Sequence, residues 1–176
     1  SIRRQRQMCI RDRSRDPGET HSDNLETLLK SAAKGGVTTL ACLPNTFPII
    51  DESSIVESLS RRADSLNLSK LLIYGAASVS LDDKKMSELG LLYNAGVGGF
   101  TNANRPIYNP LLMKRVLSYS SMLNLPVIQH ADIPELSLDT EATDSEISTR
   151  LGLRGVPSIT EAMFCLLYTS PSPRDQ

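Results

Sequence analysis

Cysteine is scarce in this chain: there are three in 176 residues. Two of them, Cys9 and Cys165, stand in end segments that are set apart below. Only Cys42 remains, inside an apolar run, so neither a disulfide framework nor a cysteine-based zinc site is available. Cys42 reads as a small core residue rather than a nucleophile. An excess of one charge sign is also lacking, with 19 basic against 20 acidic side chains. That balance gives no support for a nucleic-acid or membrane-surface partner. No apolar run approaches the length of a membrane span, and no signal-peptide arrangement is present. No Gly-x-Gly-x-x-Gly or Walker loop follows a strand-like run, which counts against a nucleotide-binding open sheet. There is no repeat beyond a helix–strand period and no low-complexity linker. The bulk therefore reads as an ordinary soluble, cytoplasmic globular piece.

The two ends read as one foreign element. Met8-Cys9-Ile10-Arg11-Asp12-Arg13 is encoded by ATG TGT ATA AGA GAC followed by an arginine codon opening with AG. Cys165-Leu166-Leu167-Tyr168-Thr169-Ser170 is encoded by TGT CTC TTA TAC ACA TCT. These strings are reverse complements and resemble a transposon end used as a sequencing adapter. The expectation is that residues 1–13 and 165–176 are adapter translation and that residues 14–164 are the natural protein. Such scars are excluded from fold reasoning. The basic cluster from Arg3 to Arg15 lies almost wholly in the first of them.

Between the ends, helix and strand patterns alternate. Leu25, Leu28, Leu29, Ala32 and Ala33 make one helical face. Asp23 and Glu26 have capping-box spacing, and Gly35-Gly36 stops the helix. Val37 to Leu43 reads as a strand buried on both faces. The spacing then predicts a helix over Glu52–Leu66 with Ile55, Leu59, Ala63 and Leu66 inward, and a strand over Leu71–Ala77. A helix over Lys84–Asn94, with Met86, Leu89, Leu92 and Tyr93 inward, precedes a glycine-rich strand over Val97–Thr101. A helix over Pro110–Met122, with Leu112, Val116 and Tyr119 on one side, leads to a strand over Pro126–His130. Pro157-Ser158-Ile159-Thr160-Glu161 opens another helix. The class is α/β with right-handed crossovers. An open doubly wound sheet and a (β/α)8 barrel both fit, and about 150 residues are too few for a whole barrel of about 250.

In α/β folds, ligands bind at the C-terminal ends of strands. Those ends carry Pro44-Asn45-Thr46, Ala76-Ala77-Ser78, Thr101-Asn102-Ala103-Asn104 and His130-Ala131-Asp132. His130 is a candidate metal ligand, since neutral imidazole is the commonest one; pattern alone favours a structural histidine that caps its strand and hydrogen-bonds a loop. Asn45 can hydrogen-bond an amide or carboxylate through both ends of its side chain, or serve as a turn residue after Pro44. Asn102 and Asn104 have loop chemistry. Arg15, before Asp16-Pro17-Gly18, can pair bidentately with a carboxylate, or lie solvated beside a turn.

An ordered set of motifs resembles the dihydroorotase family of the amidohydrolase superfamily, which has allantoinase- and hydantoinase-like relatives. The set comprises Arg15-Asp16-Pro17-Gly18, Ala33-Lys34-Gly35-Gly36-Val37-Thr38-Thr39, and Leu43-Pro44-Asn45-Thr46 with Pro48 and Asp51. It continues through Gly75-Ala76, Ala95-Gly96, Phe100-Thr101-Asn102, His130-Ala131-Asp132, and Arg150-Leu151-Gly152-Leu153 with Pro157 and Glu161. The resemblance implies a partial (β/α)8 TIM barrel of the metal-dependent hydrolase type, acting on a cyclic amide C–N bond. In dihydroorotase, carbamoyl-aspartate and dihydroorotate interconvert during pyrimidine biosynthesis, with zinc activating water. Arg15 and Asn45 match positions that hold the substrate carboxylate, and His130 matches a metal-ligand histidine.

The chain departs from that pattern. The family's His-x-His pair falls at positions 11 and 13, which hold Arg11 and Arg13. Catalytic relatives bring a bridging metal ligand, a carbamylated lysine or an aspartate, near the strand carrying Phe100-Thr101; Asn102 stands in the aspartate-like place, and a neutral amide does not supply that charge. The Glu-Asp pair that follows the family histidine is Ala131-Asp132 here. The leading expectation is a fragment of a dihydroorotase-like enzyme, inactive as it stands. The alternatives are a metal-free dihydroorotase-like structural subunit and an allantoinase- or hydantoinase-type cyclic amidase. A small cyclic amide is the expected substrate. A second copy or a pyrimidine-pathway enzyme is the expected partner.

Overall fold

The computed structural model describes residues 24–133, 136, 140–157, 159–160 and 162–163. Arg15 and both adapter-like ends lie outside the described residues. So do Ser158 and Glu161, and with them part of the helix expected from Pro157. The chain divides into two compact units, residues 1–129 and 130–176.

In the first unit, helix α1 (Leu25–Lys34) leads to strand β1 (Thr39–Cys42), α2 (Ser53–Leu66), β2 (Lys70–Ala76), α3 (Leu89–Asn94), β3 (Gly99–Thr101), α4 (Pro110–Leu123) and β4 (Val127–Ile128). The four strands form one parallel sheet in the order β1-β2-β3-β4, with Cys42 beside Ile73, Gly75 beside Phe100 and Thr101 beside Ile128. Each strand pairs with the next one in the chain. A doubly wound sheet reverses its order at a switch point; a barrel does not. The sequential order is thus half of a (β/α)8 barrel, which settles the choice between the two folds.

The α1 cap lies one residue later than the Asp23–Glu26 pair suggested. The Asn24 side chain accepts from the Glu26 backbone N–H at 3.4 Å. Leu25, Leu29 and Ala32 are buried, while Ala33 turns outward. On α2 the buried stripe is Val56, Leu59 and Ala63. Both α2 and α4 stop at an asparagine in the left-handed region, Asn67 (φ 45°) and Asn124 (φ 54°), where a short polar side chain is tolerated.

Two helix expectations need correction. The segment expected to be helical from Lys84 begins its helix only after Glu88. Before it, the Ser87 N–H donates to the Ala77 carbonyl at 3.1 Å and the Val79 N–H to the Lys85 carbonyl at 2.9 Å. Those bonds fold residues 77–87 back onto the end of β2, and the shortened helix buries Leu89 and Leu92 but leaves Tyr93 44% exposed. On α4 the buried positions are Leu112, Met113, Val116 and Ser120, and Tyr119 is 40% exposed. The four-residue step from Val116 lands on Ser120, whose hydroxyl donates to the Leu125 carbonyl.

The glycines of the third strand have a packing reason. A Cβ on Gly98 would collide with the Leu72 side chain, and one on Gly99 would sit 2.8 Å from the Pro126 carbonyl oxygen. Leu72 and Tyr74 of β2 fill the space that the two glycines leave. Phe100 is the largest of the fully buried side chains among the described residues, which also include Leu25, Leu29, Val56, Leu59, Leu92 and Val116.

The second unit contains a parallel pair, β5 (Ala142–Thr143) and β6 (Gly155–Val156), joined through helix α5 (Glu146–Leu151). Ser145 caps that helix in a reciprocal box with Ser148, and Gly152 (φ 67°) ends it in the left-handed conformation. No helix among the described residues is long and apolar enough to cross a membrane.

Candidate functional site

The loop after β1 is tied down by its backbone. The Thr46 hydroxyl donates to the Pro48 carbonyl at 2.7 Å, and the Ile50 N–H donates to the Pro44 carbonyl at 3.2 Å. Ile50 is fully buried, and its carbonyl accepts from the Ala76 N–H at 2.8 Å. Asp51 then accepts from the Ser80 N–H at 3.0 Å, which joins this loop to the one after β2. Asn45 sits half-buried in this frame, and its side-chain amide makes no hydrogen bond among the described residues. Its donors and acceptor are therefore open to a ligand. Phe47, two residues on, is 79% exposed.

The ends of β2 and β3 are locked together instead. Asn102 is 1% exposed and Ser78 is fully buried. The Ser78 N–H donates to Asn102 Oδ1 at 3.1 Å, and Asn102 Nδ2 donates to Ser78 Oγ at 2.7 Å. Ser78 Oγ also accepts from the Asp83 N–H at 3.3 Å. The Asp83 carboxylate in turn accepts from the Tyr108 and Asn109 N–H groups, both at 2.9 Å, just ahead of α4. Asn109 caps that helix through the Leu111 and Leu112 N–H groups. This network joins the loops after β2 and β3; Asp83 Oδ1 is buried without a partner among the described residues.

Of the four residues singled out in the sequence, Asn45 and Asn102 lie at the same end of one sheet, on strands separated by β2. Asn45 is available, and both ends of the Asn102 amide are engaged. His130 falls in the second unit, where its side chain is exposed and its carbonyl accepts from the Asp132 N–H at 3.1 Å. Arg15 lies outside the described residues. Ser78 was placed at its strand end without a role, and Asp83 was missed. The only sequence signal for either was a polar residue shortly after a buried strand. Gln129, which closes the first unit, buries both atoms of its amide head without a partner among the described residues.

The described residues do not make up a zinc site. No three histidine, cysteine, aspartate or glutamate side chains among them group as metal ligands. The Asn102 side chain has one neutral oxygen, which accepts from the Ser78 N–H.

A singly wound parallel α/β layer, with polar residues collected at its C-terminal strand ends, defines a barrel-type protein. The chain belongs to the dihydro-orotase-like family, whose model matches residues 10–169. It is 41% identical over 149 residues to a dihydroorotase of Wolbachia sp. subsp. Brugia malayi, covering 85% of this chain and 33% of that protein. A dihydroorotase of Ehrlichia canis matches with the same identity and the same coverage. One from Endomicrobium trichonymphae is 38% identical over 152 residues, covering 86% of this chain and 36% of that one. The chain thus spans about a third of the length of these relatives. Among solved structures, L-hydantoinase (dihydropyrimidinase) from Arthrobacter aurescens superposes with a TM-score of 0.52 at 20% identity, over 64% of this chain and 26% of its own. At that identity the likeness bears on the fold alone.

Proposed function

We propose that this chain is part of a dihydroorotase-like cyclic amidohydrolase that interconverts carbamoyl-aspartate and dihydroorotate in pyrimidine biosynthesis. The observation that supports it most is the 41% identity, over 85% of this chain, to proteins named dihydroorotase. Asn45 offers a free amide at the strand mouth, suited to one carboxylate oxygen of the substrate; the Arg15 guanidinium would take the carboxylate bidentately. His130 is assigned as a ligand of zinc, which would polarise the ring carbonyl and activate water; its companions would come from outside the described residues. The protein would work in the cytoplasm, as a homo-oligomer or beside another enzyme of the same pathway.

The 176-residue chain alone is expected to be inactive, because Arg11 and Arg13 stand in place of the histidine pair and four sequential strands do not close a barrel. Zinc-dependent ring opening of dihydroorotate by the purified chain would overturn that expectation. The parent activity is tested by resequencing the source DNA across residues 1–13 and 165–176 and assaying the recovered gene product. Histidine codons at positions 11 and 13, with dihydroorotase activity, are the expected result.

The second reading, a metal-free dihydroorotase-like subunit, is favoured by the Asn102–Ser78 pair. A gene that lacks the histidine codons and a product without bound zinc would make that reading the better one.

A further inference from the structure

We propose that a second copy of this chain docks on the outer face of α3 and α4. The two copies meet about a two-fold axis, with Glu88 of each against Arg115 of the other. The proposal rests on the proposed function only for the expectation of a homo-oligomer, and it is independent of the strand mouth. Tyr93 and Tyr119, both expected in the core, turn outward and line one cavity of about 530 Å³ between the two helices. Gly90 allows the close fit there: the Tyr119 hydroxyl lies 3.0 Å from where a Cβ on that glycine would stand. On the same helices Leu91 and Leu111 are each 56% exposed, and Met122 is 82% exposed. Leu111, Arg115 and Met122 fall on one stripe of α4, at steps of four and seven residues.

The missing remainder of the barrel does not explain these bare apolar side chains. α3 and α4 flank β3, which has a strand on either side. In a closed barrel the helices form the outer ring, so their outward faces stay bare. The exposed Ile128, on the end strand β4, does have that explanation. An exposed apolar patch marks an interaction site, and tyrosine, methionine and arginine are enriched in such interfaces.

Charge names the occupant. Arg115 stands one helical turn before Tyr119 on α4, and Glu88 stands two residues before Gly90, at the start of α3. Both are exposed, and neither forms an ion pair among the described residues. An isologous interface must be complementary to itself, with residue i meeting j and j meeting i. One unspent charge of each sign beside an apolar centre meets that condition; a patch of a single sign would not.

The test is the mass of the 19.3 kDa chain in solution, read by sedimentation over a range of protein concentrations. A dimer that weakens as salt rises is expected. Glu88→Arg and Arg115→Glu each turn two attractions into two repulsions, and each should raise the dimer dissociation constant by about tenfold. An equal mixture of the two variants should form a heterodimer as tight as the parent dimer, since each copy then offers the other the opposite charges. Association through the open strand edges would be indifferent to all of these changes. A monomer at every concentration overturns the proposal, and so does a dimer that neither variant weakens or a mixture no tighter than its parts. Should Glu88→Arg not fold, Glu88→Gln takes its place and should weaken the dimer about threefold; an unchanged constant overturns the proposal.

Nitrogen-15 shifts on titration with carbamoyl-aspartate report on the strand mouth separately. Shifts in a chain that stays monomeric overturn the docking face and leave the proposed function standing. A dimer of the expected kind without such shifts supports the face and counts against the ligand site.

Discussion

The loops after β1 and β3 both present an asparagine at the mouth of the same sheet, and the two residues have opposite fates. Asn45 is held by a frame of backbone bonds that leaves its amide unused. Asn102 is itself part of the frame, with both ends of its amide spent on Ser78. A group that is satisfied internally contributes to stability and has little to offer a ligand. A group left open offers binding and contributes little to folding. The two loops divide those tasks between identical side chains.

The largest effect that could break this comparison is on stability. Asn102→Ala removes two buried bonds and orphans the Ser78 N–H, so it should cost about 3 kcal/mol, read from the urea midpoint at unchanged slope. A cost equal to that of the Asn45 variant would end the distinction. Gln129 sharpens the comparison from the opposite side, because its amide is buried and without a partner among the described residues. Gln129→Leu should stabilise the chain by about 1 kcal/mol, since it removes a desolvated group that gains nothing in return. Asn45→Ala should change stability by less than about 0.5 kcal/mol yet abolish shifts caused by carbamoyl-aspartate.

The smallest effect lies far from the mouth. Hydrogen bonding and charge attraction from Lys30 hold the exposed Glu26 carboxylate below the usual glutamate range. A depressed carboxylate stabilises the fold above its unfolded pKa and loses that contribution as pH falls through the folded one. Glu26→Gln should therefore lower the melting temperature slightly at neutral pH and not at all in strong acid or high salt.

Much of the scaffold was legible because it depends on local periodicity. The buried runs that became β1, β2 and β3, the α2 stripe through Leu59 and Ala63, and the stop at Gly35-Gly36 all follow from spacing within one element. The strand order was not legible, since it depends on which runs pair. The start of α3 was missed because bonds from residues 77–87 to the end of β2 outcompete helical ones. The site divided in the same way. Polar residues at strand ends could be counted, but Asn45 and Asn102 look alike in sequence. What separates them is Ser78, a residue 24 positions before Asn102 on the neighbouring strand. Ser120 shows the same blindness: a serine on the buried face of α4 looks out of place until its hydroxyl meets the Leu125 carbonyl.

The serine hydroxyl at position 78 also bears on how such a chain changes over generations. Asparagine and aspartate codons differ by one base. Where a neighbouring group is committed to donating or to accepting, that single change leaves a buried clash of like partners, and selection has to repair the neighbour before it can test the new chemistry. Here the hydroxyl can turn its proton to meet a carboxylate, but a charge at a position only 1% exposed would still lose its water. Exchange between a neutral and an anionic side chain at this strand end is therefore eased by the hydrogen bonds and opposed by desolvation.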